Sequence, residues 1–390
     1  GSSLYRGRRK CFTIARMTPE STAKAYQPKE LPLPQEVQRR FAKLQVARRF
    51  ARDREVVREI LVRAPNWVGD AIMSLPVLAG LKRLFPLAEI TVLAVPRVAP
   101  LFAAQPAVTE IIPFPAGRGK WQVLWEMRGR FEVALALPNS MEAALGLWLV
   151  GVPCRVGYNT DARGVFLKEA VSGRQHLTGL HTVFYFLGLL KALGGVATFT
   201  PPALYLDSGE EDHAAQFLAE VELPGHGPWV GLSPGAAYGP AKRWPPERFA
   251  ALGRALQQEF GARLVLLGGK TERPVAEQVK EHLEAPVVDL VGRTSLRQAL
   301  GLLSRFQLLV TNDSGLMHAA AALSVPLVSL FGSTDPAATG PFSSQAAVIH
   351  HPQPCSPCFK RTCELGYPCL TAISMEEVLA AAHARLEAGS

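Results

Sequence analysis

Along most of the chain, short runs of consecutive apolar residues alternate with stretches whose apolar positions recur at helical spacing. Residues 59–63 form the first such run, followed by a loop at 64–69 and a predicted helix over 70–85. Residues 90–95 make a second strand, 108–112 lead into a third, and 134–137 a fourth. Pro138-Asn139-Ser140 then precedes a helix at 141–150. The strand positions are apolar in succession, which describes strands buried on both faces and hence a parallel sheet covered by helices. Right-handed crossovers follow.

The rhythm breaks at Pro201-Pro202, passes through an acidic helix near 208–221 and breaks again at 223–228. It restarts with strands at 229–233, 263–267, 287–289, 308–311 and 327–330. Between them lie helices at 245–260, 274–283, 296–304 and 316–323. This is an α/β protein of two successive Rossmann-like halves, 59–222 and 223–390. Ligand is expected at the carboxyl ends of the strands, in a cleft where loops of both halves converge.

Before residue 59 the pattern differs. Residues 1–34 show no apolar periodicity and read as disordered or loosely attached. Residues 34–58 read as a helix, with Val37, Phe41 and Leu44 at helical spacing among Arg39, Arg40, Lys43, Arg48 and Arg49. Such a helix either lies on an anionic lipid surface or packs on the domain with its cations solvated.

Composition sharpens this picture. With 48% hydrophobic and 19% charged residues, the 390-residue chain is globular and long enough for two cores. Its longest apolar runs, 143–152 and 184–190, are shorter than the ~18–20 residues of a membrane span. Without the pattern of a secretory signal, a cytoplasmic location is expected, with the inner face of the inner membrane as a potential contact. The net charge of +9 is concentrated at the front, where residues 1–58 hold fifteen Lys/Arg against five Asp/Glu. The body is nearly neutral and lacks an interleaved aromatic and basic platform, so no nucleic-acid partner is expected.

Three loops carry candidate chemistry. In Asn66-Trp67-Val68-Gly69-Asp70, after the first strand, Asp70 is either a helix cap or a general base for an acceptor hydroxyl. Ser233-Pro234-Gly235-Ala236 runs toward Lys242-Arg243-Trp244-Pro245. Small residues and a following helix start let backbone amides approach an anion, and Lys242 adds a mobile charge. The alternative is a plain loop with solvated cations. Thr311-Asn312-Asp313-Ser314-Gly315-Leu316-Met317-His318 again joins strand to helix, as cap and core histidine or as a ligand turn.

Cys355, Cys358, Cys363 and Cys369 begin with a CxxC pair and lie close in sequence. That spacing suits a structural zinc or iron site, or else disulfides or free thiols. The gaps between the later cysteines depart from common zinc fingers.

At the three loops and at Leu137-Pro138-Asn139-Ser140, the sequence resembles the ADP-heptose:lipopolysaccharide heptosyltransferases of glycosyltransferase family 9, within them the heptosyltransferase II type. The resemblance covers about residues 59–386. It implies a GT-B fold, inverting transfer without a catalytic metal, ADP-heptose as donor and heptosyl-Kdo2-lipid A as acceptor. It further implies Asp70 as base and Lys242 at the diphosphate, with Asp313, Ser314, Gly315 and His318 around donor sugar and phosphate. Ser233, Gly235 and Ala236 would join the donor loop, Glu272 would fall near the ribose and Thr294 near adenine, with Asn66, Trp67 and Asn139 toward the acceptor. The basic extension departs from the family pattern, and the cysteine cluster belongs to only some members. Other readings are a family 9 transferase using a different nucleotide-sugar or a protein acceptor, and an inactive nucleotide-sugar-binding protein.

Overall fold

The structure is a computed structural model describing residues 29–48 and 50–388. Residues 1–28, where most of the disordered segment was expected, lie outside the described residues. The strands are β1 (Leu31–Pro32), β2 (Gln45–Val46), β3 (Glu59–Arg63), β4 (Glu89–Ala94), β5 (Glu110–Pro113), β6 (Val133–Ala136), β7 (Cys154–Tyr158), β8 (Glu169–Ser172) and β9 (Thr198–Phe199) in the first part. In the second part they are β10 (Trp229–Ser233), β11 (Arg263–Leu266), β12 (Val288–Asp289), β13 (Leu308–Asn312), β14 (Leu327–Phe331) and β15 (Ala346–His350). Helices α1 (Gln35–Ala42), α2 (Val68–Met73), α3 (Leu75–Leu84), α4 (Gly119–Glu126), α5 (Met141–Leu149), α6 (Thr182–Gly188) and α7 (Ser208–Glu220) accompany the first set. The second set is joined by α8 (Pro246–Phe260), α9 (Arg273–Leu283), α10 (Leu296–Leu303), α11 (Gly315–Ala322), α12 (Pro336–Thr339), α13 (Pro368–Thr371) and α14 (Met375–Ala388).

Two sheets result. The first has seven strands in the order β2-β8-β7-β6-β3-β4-β5, and the second has six in the order β12-β11-β10-β13-β14-β15. All pairings within them are parallel except β2 with β8. In each sheet the first long strand, β3 or β10, sits centrally, and the chain leaves it in both directions. The β3/β6 and β10/β13 junctions are therefore switch points, where diverging loops open a crevice. Ile60, Leu61 and Val62 of β3 are essentially inaccessible, as sheet burial on both faces requires. One continuous apolar cluster runs from Ile60 and Ile72 of the first half to Met317 and Leu327 of the second, so the halves touch directly.

The helix expected over 34–58 is confined to α1. After Lys43 the chain extends into β2, which adds antiparallel to β8, and Leu44 is buried at the bend. Val37 and Phe41 of α1 are buried too. The apolar stripe of α1 is thus packed against the fold, as the second of the two readings of this helix expects. The single helix expected over 70–85 is two helices broken at Ser74. Pro76 lacks an amide hydrogen and crowds the carbonyl four residues earlier, so an uninterrupted helix cannot pass through it.

Candidate functional site

The loop after β3 enters α2 with Trp67 at the N-cap and no side-chain cap bond. Asp70 is the third residue of that helix, in its first turn. Its backbone carbonyl accepts from the Ser74 amide at 3.0 Å, but its carboxylate accepts no hydrogen bond from the described residues, so the capping role weighed for it is not the one it plays. Burial raises its pKa above 3.8; nearby Lys242 opposes the shift and Asp313 reinforces it. An acid of the first half thus lies within electrostatic reach of a cation and an acid of the second.

Two glycines make this proximity possible. A Cβ on Gly69 would stand 2.7 Å from His318 Cδ2, and one on Gly315 would stand 2.8 Å from Val68 Cγ1. Both distances are shorter than van der Waals packing tolerates. The first turns of α2 and α11 therefore meet backbone to side chain across the two halves.

Across from Asp70, Lys242 lies on the turn Pro240–Lys242. Its ammonium pairs with the Asp313 carboxylate and sits 4.9 Å from the centroid of the Tyr238 ring. Asp313 also accepts a hydrogen bond from the Thr334 hydroxyl at 2.6 Å. Ser314 caps α11, its Oγ accepting from the Met317 amide at 3.4 Å. His318 is buried on the next turn, and burial lowers its pKa to about 4, so it is neutral at physiological pH.

Asn312, at the end of β13, ties the donor-side loops together. Its Nδ2 donates to the Pro234 carbonyl at 2.7 Å, and its Oδ1 accepts from the Trp244 amide at 3.0 Å. Ser233 and Ala236 are buried beside it. Glu272 packs against Gly235 and accepts from the Gly269 amide at 2.6 Å. Burial raises its pKa, offset by that amide and by Arg243. The Gly292 amide donates to Gly268 O at 2.8 Å, bringing the loop that carries Thr294 beside the loop that carries Glu272. Thr294 itself makes no side-chain hydrogen bond among the described residues.

On the opposite wall, Asn66 Oδ1 accepts from Arg63 Nη2 at 2.8 Å, and Asn66 O accepts from Arg97 Nε at 2.6 Å. Arg97 stacks 4.6 Å from the centroid of Trp67, which is 45% exposed. Burial lowers the Arg63 pKa to about 10. Asn139 donates to the Tyr185 hydroxyl and accepts from Arg163 at 2.7 Å. Sequence reasoning named Asn66, Trp67 and Asn139, and the loops bearing Asn312 and Thr334, but passed over Arg63, Arg97, Arg163 and Tyr238. The three arginines are separated in sequence, and nothing in the local pattern marked them for one wall.

The four cysteines weighed as metal ligands from their spacing are free thiols rather than disulfide-bonded. Cys355 is exposed, Cys358 and Cys363 are half-buried, and Cys369 is buried in the core as part of α13. Burial raises the Cys369 pKa, with the other three thiols adding to the shift, so the four are neighbours. Among the described residues, however, no three His, Cys, Asp or Glu side chains converge as ligands.

The profile described as Glycosyltransferase family 9 (heptosyltransferase) matches residues 121–367. The chain belongs to this family. It is a glycosyltransferase, and its two-sheet architecture is the GT-B fold. The chain is similar to lipopolysaccharide heptosyltransferase 2 of Escherichia coli K12, 34% identical over 309 residues, covering 75% of this chain and 87% of the relative. Lipooligosaccharide heptosyltransferase 2 of Haemophilus ducreyi is 33% identical over 307 residues, covering 75% and 88%. The E. coli ADP-heptose lps heptosyltransferase II structure superposes with a TM-score of 0.72 at 31% identity, covering 85% of this chain and 99% of that one. The profile match begins after Asp70, whose place rests on the geometry described above.

Proposed function

We propose that this chain transfers L-glycero-D-manno-heptose from ADP-heptose to the first heptose of heptosyl-Kdo2-lipid A, in building the lipopolysaccharide inner core. The observation that carries this reading is the unpartnered Asp70 carboxylate of one half standing opposite the Lys242–Asp313 pair of the other. The names of the heptosyltransferase 2 relatives support heptose as the sugar and lipopolysaccharide or lipooligosaccharide as the class of product, and the heptosyl-Kdo2-lipid A acceptor rests on the family resemblance.

In this scheme the first half, 59–222, binds the acceptor and the second, 223–390, binds the donor. Ser233, Gly235, Ala236 and Lys242 hold the diphosphate with the start of α11, where Ser314 and Gly315 lie. Glu272 meets the ribose and Thr294 the base, while Asp313 and His318 border the sugar. Asn66, Trp67 and Asn139 line the acceptor side. The acceptor oxygen attacks the anomeric carbon as its proton passes to Asp70. The bond from that carbon to the diphosphate oxygen breaks, and ADP leaves with the electron pair on the face opposite attack. A hydroxyl is a weak nucleophile at neutral pH, so a nearby base with a raised pKa lowers the barrier. Charge developing on ADP is met by Lys242 and backbone amides, so the scheme needs no resident metal. Since acid and cation sit on different halves, the site is complete only when the halves close.

We place this reaction in the cytoplasm, at the inner face of the inner membrane, where a lipid-anchored acceptor is reached. Among the described residues no helix is long and apolar enough to cross a membrane. The direct test incubates the purified chain with ADP-heptose and heptosyl-Kdo2-lipid A and weighs the product. Gain of one heptose with release of ADP is expected. Binding of ADP-heptose without transfer would favour the inactive reading, and turnover with a different donor or a protein acceptor would redirect the assignment.

A further inference from the structure

Three tryptophans lie exposed on one layer of the first half. Trp121 is 45%, Trp125 69% and Trp148 49% exposed. Indole rings are usually buried or held at interfaces, so three open ones on adjoining elements are informative where one would not be. Leu124 of α4 packs on Gly146 of α5, and Lys120 pairs with Glu142, so the two helices run side by side in the same direction. At their far ends the Gly129 amide donates to Val150 O, which brings Trp125, Arg128 and Trp148 to one end of the pair. Trp148 also meets Phe166 edge-on at 5.8 Å, and Val165 beside it is 78% exposed.

Cations border these rings. Lys120 Nζ lies 5.1 Å from the Trp121 centroid, and the Arg128 guanidinium lies 4.6 Å from that of Trp125. Lys120 is committed to Glu142, but exposed Arg118 and Arg128 have no acidic partner among the described residues. Exposed indole rings with the unpaired Arg128 guanidinium over one of them and Arg118 at the start of the same helix match the chemistry of a lipid headgroup layer, where rings enter the acyl boundary and cations meet phosphate.

The placement agrees. α4 follows β5, and Phe114, just past the end of β5, stacks with Arg63, 4.8 Å from ring centroid to guanidinium, on the acceptor wall. The layer thus starts at the rim where a lipid-anchored acceptor would arrive, which is where this inference rests on the proposed function. We propose that the exposed face of α4, α5 and the turn Arg163–Phe166 docks on an anionic lipid bilayer, holding the acceptor wall at its surface.

The test is co-sedimentation of the full chain with vesicles of phosphatidylglycerol and phosphatidylethanolamine, compared with phosphatidylcholine vesicles. The chain is expected to bind the anionic vesicles and to release at high salt. Trp125→Ala with Trp148→Ala is expected to weaken binding by at least about tenfold, and Arg128→Glu by about fivefold. Trp125→Phe should restore part of the loss. Thermal melting and transfer to a deacylated, water-soluble acceptor should be unchanged in all of them, so failure of the docking face is distinguishable from failure of the activity. Absence of wild-type binding, or undiminished binding by the double variant, would overturn the proposal. So would a change from dimer to monomer in the double variant, which would make the face a contact between copies.

Discussion

Lys242 and Asp313 form an ion pair at the floor of the donor side, with the lysine 13% and the aspartate 4% exposed. The pair fixes the ammonium where a diphosphate would lie, and it balances the charge of Asp313 until a ligand arrives. Replacing Lys242 by Ala removes the cation and strands a buried carboxylate. Transfer kcat/KM should fall by roughly 10²–10³-fold, with a loss of about 3–5 kcal/mol in stability. Adding Asp313→Asn should recover the melting temperature without recovering turnover. Calorimetric melting beside steady-state kinetics separates the two effects.

Thr334 orients Asp313 through a 2.6 Å hydrogen bond. Thr334→Val keeps the shape and deletes the donor, a change of about 1 kcal/mol. The KM for donor should rise by roughly fivefold with kcat little altered. An unchanged KM would show that Asp313 is held by Lys242 alone.

Gly69 offers a steric test of closure. An added methyl would stand 2.7 Å from the His318 ring, so α2 and α11 must separate. Gly69→Ala should slow transfer by roughly 10–100-fold, because displacement of about 1 Å at a reacting centre is costly. Binding of ADP alone, measured by titration calorimetry, should stay within a few-fold of wild type.

The pH dependence has a defined sign. Asp70 must be ionised to take a proton, and burial raises its pKa above 3.8. The acid limb of kcat/KM should therefore lie above the ordinary aspartate value and vanish in Asp70→Asn. His318, lowered to about 4, is neutral above that range and adds no limb near neutrality. Its effect is on stability. Between about pH 6.5 and 4 the unfolded chain binds a proton at this ring that the folded chain does not. Stability at this site thus falls as pH falls through that window, by at most about 3 kcal/mol. His318→Gln should flatten that slope in urea titrations.

The sequence made the sheets legible where strands are uniformly apolar. β3, β4, β6, β10, β11 and β13 fall where their runs of Val, Ile, Leu and Ala predict. It hid elements whose identity depends on distant partners. β2 has two residues and exists because β8 accepts it at the sheet edge. α4 escaped notice because only Leu124 of its eight residues is fully buried, so its helical stripe is too thin to stand out. The loops bearing Asp70, Lys242 and Asp313 were legible because each joins a strand to a helix. That Asp70 is not a cap could not be read from a carboxylate near a helix start; α2 begins earlier than expected, with Trp67 at the N-cap, which puts Asp70 inside the first turn.

The most direct test of the central claim is single-turnover transfer by Asp70→Asn saturated with ADP-heptose and heptosyl-Kdo2-lipid A. With donor affinity and melting temperature near wild type, the rate should drop by roughly 10²–10⁴-fold. A rate within a few-fold of wild type would remove Asp70 from the proton transfer and leave the facing acid and cation without the role assigned to them.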